Sequence, residues 1–182
     1  MIGGGPGSFI GAVHRIALRM DGHYEMVAGA FSSTHEKCLE TARELGISED
    51  RAYPSWSELI ERESNLPNEQ KVQVIVITTP NHLHAAPTIA ALNAGFHVVL
   101  DKPLCTSLQE AYDIKQAVEG ARGLFCLTHT YTGYPMVKEA KFQVASGALG
   151  KVRKIYVEYP QGWLSTLLES EGHTQASWRT DT

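Results

Sequence analysis

Apolar and polar positions along this chain alternate between two periods, one near 3.6 residues and one of short apolar runs, and the alternation repeats several times. A first helix is predicted from about Ile10 to Met20, and Tyr24–Phe31 then reads as a buried strand. Ser33-x-x-Glu36 has the form of a capping box and opens a helix to Leu45, which Gly46 stops. Ala52-Tyr53-Pro54 is a brief strand, and a second capping box, Ser55-x-x-Glu58, starts a helix to about Arg62. After a polar loop over 65–70, Val72–Thr78 is the clearest strand, β-branched almost throughout. A helix from His84 to Ala94 is expected to turn Ala86, Ile89 and Ala90 inward, with Pro87 tolerated in its first turn and Gly95 ending it. The next strand leads through Val98-Val99-Leu100 to Asp101-Lys102-Pro103. Ser107-x-x-Glu110 then opens a helix with Leu108, Ala111, Ile114 and Val118 on one side, and Leu124–Thr128 is one more strand. Strands separated by helices of this length imply βαβ crossovers, so the fold class is α/β, a doubly wound and mostly parallel sheet.

The pattern changes near Gly147-Ala148-Leu149-Gly150, after a helix from about Pro135 to Ser146. From Lys151 to Tyr159 the residues alternate, with Ile155, Val157 and Tyr159 on one face and Lys154, Tyr156 and Glu158 on the other. That is the pattern of a half-solvated antiparallel strand. Residues 1–146 are therefore expected to form one domain, and residues 147–182 the start of a second, too short to enclose a core of its own.

Composition narrows the function classes. The chain has 182 residues, 43% of them hydrophobic, and a net charge of −4 with scattered basic residues, which argues against a nucleic-acid surface. Cys38, Cys105 and Cys126 are far apart and show no metal-ligand spacing, as in a reduced, cytoplasmic protein. No apolar run approaches the length of a membrane helix.

Candidate chemistry gathers where predicted strands end, because ligands of open α/β sheets sit outside the carboxyl ends of the strands. The glycine-rich start Gly3-Gly4-Gly5-Pro6-Gly7-Ser8-Phe9 precedes a helix, as a phosphate-binding turn does. Its strand is reduced to Met1-Ile2, position 8 is Ser where a G-x-G-x-x-G counted from Gly3 has its third glycine, and a flexible terminus is the other reading. Thr79, Pro80, Asn81 and His84 follow the best strand; His84 reads equally as a packing histidine. Lys102 stands at a strand end, with Pro103 biasing it toward extended backbone. Tyr131 and Tyr134 either line a polar pocket or pack in a core, and Tyr159 and Trp163 either stack on a sugar or belong to an interface. His14 carries no assigned role, and His23, His35 and His173 read as surface residues.

Four of these segments, the glycine-rich start, Thr79-Pro80-Asn81-x-x-His84, Asp101-Lys102-Pro103 and Gly147-x-x-Gly150-Lys151-Val152, resemble in order and spacing the Gfo/Idh/MocA family, the glucose–fructose oxidoreductase and inositol dehydrogenase group. The resemblance implies an N-terminal Rossmann domain and a C-terminal antiparallel-sheet domain that forms the substrate wall and a homo-oligomer interface. It implies hydride transfer between nicotinamide and a hydroxyl or carbonyl carbon of a sugar or cyclitol. By the same resemblance Lys102 matches the catalytic lysine, Asp101 the acid beside the nicotinamide ribose, and Thr79, Pro80, Asn81 and His84 the loop beside the cofactor. Gly3, Gly5, Gly7, Ser8 and Phe9 would hold the pyrophosphate, and Tyr131 and Trp163 would face substrate. Phe31-Ser32-Ser33 lacks the acid that often holds the ribose 2′-hydroxyl of NAD, and Ser32 and Ser33 suit a 2′-phosphate, so the cofactor is NAD or NADP with a lean to NADP.

Three departures accompany the match: the shortened first strand, the missing acid after Phe31, and the absence of the motif that completes the family's active site. The family's Asp-x-x-x-His-like motif is not found, and Trp178-Arg179-Thr180-Asp181-Thr182 resembles the family's W-R-x-D-P with Thr182 in place of Pro. The chain is accordingly expected to be a fragment that does not turn over substrate alone. Two other readings stay open: a tightly held NAD that assists sugar elimination or hydrolysis, and a truncated product that only binds nucleotide.

Overall fold

The computed structural model of the protein describes residues 1–160, 162 and 165–171. Trp163, His173 and the segment 178–182 lie outside the described residues. The chain divides into two compact units, Met1–Gly133 and Tyr134–Thr182, a division earlier than residue 146.

The first unit is built on four parallel strands in the order β1 (Ile2–Gly3), β2 (Val74–Thr78), β3 (His97–Asp101) and β4 (Phe125–Thr128). Two isolated bridges extend that order beyond β1: Ile2 pairs with Ala30, and Gly29 with Ala52. From β1 the chain therefore moves outward through 30 and 52, then returns to the other side of β1 as β2. That reversal is the topological switch point of a doubly wound sheet.

Helices cover both faces because alternate strand residues point to opposite sides. Ile75, Ile77, Val98 and Leu100 pack with Leu59, Ile60, Ala91, Leu92 and Ala117, which come from α3 (Trp56–Ser64), α4 (Ala85–Asn93) and α5 (Leu108–Gly120). On the opposite face Val76, Met1 and Phe31 pack with Cys38, Ala42 and Ile47, and Leu18 joins them; α1 (Phe9–Arg19) and α2 (His35–Leu45) cover this side. Ile77 and Leu100 are completely buried, and each such side chain contributes roughly 1.5–3 kcal/mol of burial free energy.

Several elements differ from the sequence expectation. Tyr24–Phe31 forms no strand beyond its bridges, and Ala52 contributes a bridge alone. A strand exists only where a neighbour supplies the ladder, and β1 offers two residues. Thr34, not Ser33, precedes α2, without a side-chain cap. Ile89 and Ala90 of α4 and Ile114 and Val118 of α5 pack on the core as expected, but Ala86 is exposed and Leu108 is 78% exposed; the most deeply buried positions are Ala85, Thr88, Ala91 and Leu92 in α4 and Ile114 and Ala117 in α5. The capping box Ser107–Glu110 is complete, and Ser55 accepts from the Glu58 amide.

One buried ion pair was not anticipated. Glu63, fully buried in α3, takes hydrogen bonds from Arg51 (Nη2 at 2.6 and 2.7 Å), from the Tyr53 hydroxyl at 2.7 Å and from the Val72 amide at 2.9 Å. Burial alone would raise its pKa, yet the three donors outweigh it and hold the carboxyl below its usual range. Burial and the neighbouring carboxylate push Tyr53 up to about 12.

In the second unit, α6 (Pro135–Ala145) begins on a proline in its first turn. Residues 152–160 are exposed and form no strand among the described residues, so the strand predicted over 151–159 is absent here for want of a ladder partner. Lys154 lies 4.4 Å from the Tyr156 ring centroid, so those two share a side, as the alternation predicted. No helix among the described residues is long and apolar enough to cross a membrane.

Candidate nucleotide and catalytic site

The glycine turn leaves β1 stitched to its neighbour. Gly3 N–H donates to the Ala30 carbonyl at 2.9 Å and Gly5 N–H to that of Phe31 at 3.0 Å. Gly5 lies so close to Phe31 that a Cβ there would stand 2.6 Å from the Phe31 oxygen, and a Cβ on Gly11 would meet the Gly4 Cα at 2.4 Å. The helix α1 therefore packs directly on the backbone of the turn. Ser8 caps α1 by accepting from the Gly11 amide at 3.2 Å, and the Arg15 guanidinium donates to the Gly4 carbonyl at 2.8 Å. The amides of Phe9 and Ile10 head the helix with no hydrogen bond among the described residues, and such a terminus carries partial positive charge. Gly7, at φ 77°, borders open space.

Gly11 does the work of the third glycine in a dinucleotide turn, close helix–strand packing, and sequence reasoning left it out of the site. Counted from Gly5 the pattern is G-x-G-x-x-x-G, one residue longer than the usual fingerprint. That extra residue concealed it.

At the ends of β2 and β3 the residues sort by depth. Pro80 is exposed and Asn81 half-buried on a 3-10 turn, Asn81–Leu83, while Thr79 donates its hydroxyl to the Leu83 carbonyl at 3.2 Å. His84 lies beneath them, 1% exposed, with Nδ1 2.7 Å from the Pro103 carbonyl and Nε2 2.9 Å from that of Thr79. Its ring joins the two loops that follow β2 and β3, so both nitrogens are engaged inside the protein.

Asp101 closes β3 opposite Thr128 of β4. Its Oδ1 accepts from the Thr128 hydroxyl at 3.0 Å and lies 3.4 Å from His14 Nε2 of α1. Desolvation would raise this carboxyl, but the two donors and the Lys102 charge outweigh it and hold the carboxyl below its ordinary range. Lys102 is exposed and has no hydrogen bond or ion pair among the described residues. The Lys102–Pro103 peptide bond is cis.

Ser32 is half-buried and Ser33 exposed beyond the Gly29–Ala30 bridges, with Ser32 Oγ accepting from the Thr34 amide at 3.4 Å. Tyr131, 58% exposed, stands on the 3-10 turn Thr130–Gly133 after β4. All these residues follow carboxyl ends of parallel strands, and therefore one edge of the sheet.

The opposite edge holds a cavity of about 640 Å³ lined by Met1, Arg15, Met26, Val72 and Val74 among others. It lies at the amino end of β2, away from the candidate chemistry. Among the described residues no group of three or more His, Cys, Asp or Glu is placed to hold a metal ion.

Comparison with known proteins agrees with this geometry. Residues 1–129 match the model of the oxidoreductase family with an NAD-binding Rossmann fold, Gfo/Idh/MocA. The uncharacterized oxidoreductase YfiI of Bacillus subtilis is 30% identical over 182 residues, all of this chain and 46% of that protein. Levoglucosan dehydrogenase of Pseudarthrobacter phenanthrenivorans is 28% identical, over 98% of this chain and 43% of its own length. The crystal structure of an inositol dehydrogenase homolog complexed with NAD+ from Azotobacter vinelandii superposes with a TM-score of 0.90 at 36% identity, covering 100% of this chain and 46% of the other. The chain thus spans a little under half the length of these relatives. With a parallel sheet reversed at β1, a glycine turn pressed against α1 and an Asp-Lys-Pro strand end, and with the family match extending over all three, this chain belongs to the Gfo/Idh/MocA family of oxidoreductases and carries its NAD-binding Rossmann fold.

Proposed function

We propose that the chain is the nucleotide half of an NAD(P)-dependent dehydrogenase acting on a sugar or cyclitol. The observation that carries this reading is the meeting of α1, which heads the glycine turn, with the Asp101–Lys102 strand end through His14. Pyrophosphate-binding and proton-handling groups are thereby tied to one edge of one sheet.

The residues fit a dinucleotide. Gly5 and Gly11 keep side chains out of the turn, and the unpaired Phe9 and Ile10 amides present donors at a helix N-terminus. Ser32 and Ser33 stand where an adenine ribose would lie, and two hydroxyl donors with no acid among them favour NADP modestly. Thr79, Pro80 and Asn81 border the nicotinamide end, over the brace formed by His84. Nicotinamide, when bound, supplies the hydride acceptor or donor. Lys102, with no partner of its own, hydrogen-bonds the substrate hydroxyl and takes its proton during oxidation, returning it in the reverse direction. By the resemblance Tyr131 would face substrate, as would Trp163, which lies outside the described residues, and a C-terminal antiparallel sheet would supply the substrate wall. The resemblance assigns the dimer interface to that same sheet, and a reduced cytoplasmic setting suits the free thiols.

Nucleotide titration by calorimetry is the first test. The 182-residue chain binds NAD(H) or NADP(H), and failure to bind any of the four overturns the proposal. In a longer protein that carries this chain and a substrate domain, Lys102→Met lowers turnover about 10²–10⁴-fold while nucleotide binding persists. Retention of turnover in that variant removes Lys102 from the chemistry.

A further inference from the structure

We infer that His14 and Thr128 are positioning residues that hold one oxygen of Asp101 so that its other oxygen is presented as the acceptor for the hydroxyls of the ribose on the nicotinamide side of a dinucleotide. The inference rests on the nucleotide-binding reading above and deepens it.

The geometry is asymmetric at a single carboxylate. Both donors converge on Oδ1: Thr128 Oγ1 at 3.0 Å, from the neighbouring strand, and His14 Nε2 at 3.4 Å, from the helix covering the sheet. Oδ2 has no hydrogen-bond partner among the described residues, and the side chain keeps 14% of its surface exposed. A carboxylate has about four acceptor sites, two on each oxygen. Here those of one oxygen are used internally while the other oxygen remains available.

The two contacts also differ in what they fix. Asp101 and Thr128 are register partners across the parallel β3–β4 ladder, so Thr128 reaches the carboxylate from within the sheet. His14 reaches it across 87 residues of sequence, from the helix whose first turn carries Ser8, Phe9 and Ile10. Its side chain is only 10% exposed, so the ring occupies a fixed place and not a solvated one. With Nε2 carrying its proton, His14 donates to the acid and links the helix of the glycine turn to the strand end that bears Lys102. Two donors arriving from different elements restrict rotation of the carboxylate. A restricted carboxylate binds a hydroxyl pair with less loss of entropy than a free one.

The experiment separates this role from a structural one. Binding of NADH, NADPH and ADP is measured by calorimetry on the wild-type chain and on His14→Ala, His14→Gln and Thr128→Val. ADP carries the adenine-side ribose and pyrophosphate and never reaches Asp101. His14→Ala and Thr128→Val are expected to weaken the preferred reduced dinucleotide about tenfold, the worth of one hydrogen bond to a charged group, with ADP affinity unchanged. His14→Gln restores most of the loss because it keeps a donor near the Nε2 position. Equal losses for dinucleotide and ADP, or no loss for either, overturn the inference.

A second readout needs no nucleotide. Titration of the Asp101 carboxyl by carbon NMR is expected to move upward in both His14→Ala and Thr128→Val. If the wild-type chain binds no nucleotide, the ribose assignment falls with the function reading, and the NMR titration alone decides whether His14 and Thr128 hold the carboxylate. An unmoved Asp101 overturns that as well.

Discussion

Two carboxylates in the first unit, Glu63 and Asp101, are built to opposite ends. Glu63 is closed: Arg51, Tyr53 and the Val72 amide occupy both of its oxygens, and its side chain has no exposed surface. Asp101 is open, with its donors on one oxygen and a narrow exposure to solvent. Both are held below their usual pKa against the pull of burial, so the direction of the shift does not distinguish them. Saturation does. A buried acid whose acceptor sites are all used has nothing left to offer a ligand, whereas one held on a single oxygen keeps acceptor sites open.

Breaking the closed site is expected to give the largest effect. Glu63→Ala leaves the Arg51 guanidinium without its partner and should cost about 3–5 kcal/mol, as removing one member of a buried pair does; chemical denaturation of the chain measures it. Asp101→Asn, by contrast, should leave the denaturation midpoint nearly in place while weakening dinucleotide binding. If both variants lose stability equally, the distinction drawn here fails.

The next effect lies at the same end of the sheet. In a polypeptide prepared to begin at Met1, its amine is buried, donates to the Ala28 carbonyl at 2.9 Å, and is pushed by desolvation from 8.0 down to about 5. The unfolded chain binds that proton up to about pH 8 and the folded chain only below about 5. Stability therefore falls as the pH drops through this window, by up to about 4 kcal/mol. Equilibrium unfolding at pH 8 and at pH 5 should show the loss, and acetylating the amine should remove it.

Glu63 adds a separate acid limb. Its folded pKa is depressed, so its contribution is fully present above about pH 4.5 and disappears as the pH falls through the folded value. In Glu63→Gln that limb is absent. Smallest is Ser8→Ala, which removes the cap of α1 and should cost about 1 kcal/mol, readable as a modest fall in melting temperature.

Much of the sheet was legible because local chemistry agrees with it. β2 is β-branched, and Ser107 with Glu110 closes its box as written. The place of Lys102 just past the end of β3 was legible because an apolar run that stops at Asp-Lys-Pro reads as a strand end. Glu63 was not: an acid on an amphipathic helix looks solvated, and its partners Arg51, Tyr53 and Val72 converge on it only after the chain folds. Leu108 and Ala86 misled because helical periodicity gives the inner face only to within a fraction of a turn. His14 was overlooked for a related reason. Its partner is 87 residues away, and nothing local announces it.

The strand order has a consequence for how the site comes into being. Ile2 pairs with Ile77, far later in the chain, and Asp101 pairs with Thr128. The glycine turn must therefore wait, without its β2 neighbour, until most of the unit has been made. Distant pairings of this kind are slow to form and reward the chain only late. The corners of the candidate site, at residues 3–11, 31–33, 79–84 and 101–103, should consequently become ordered together in one late step of folding, with no partly assembled pocket that could hold nucleotide beforehand.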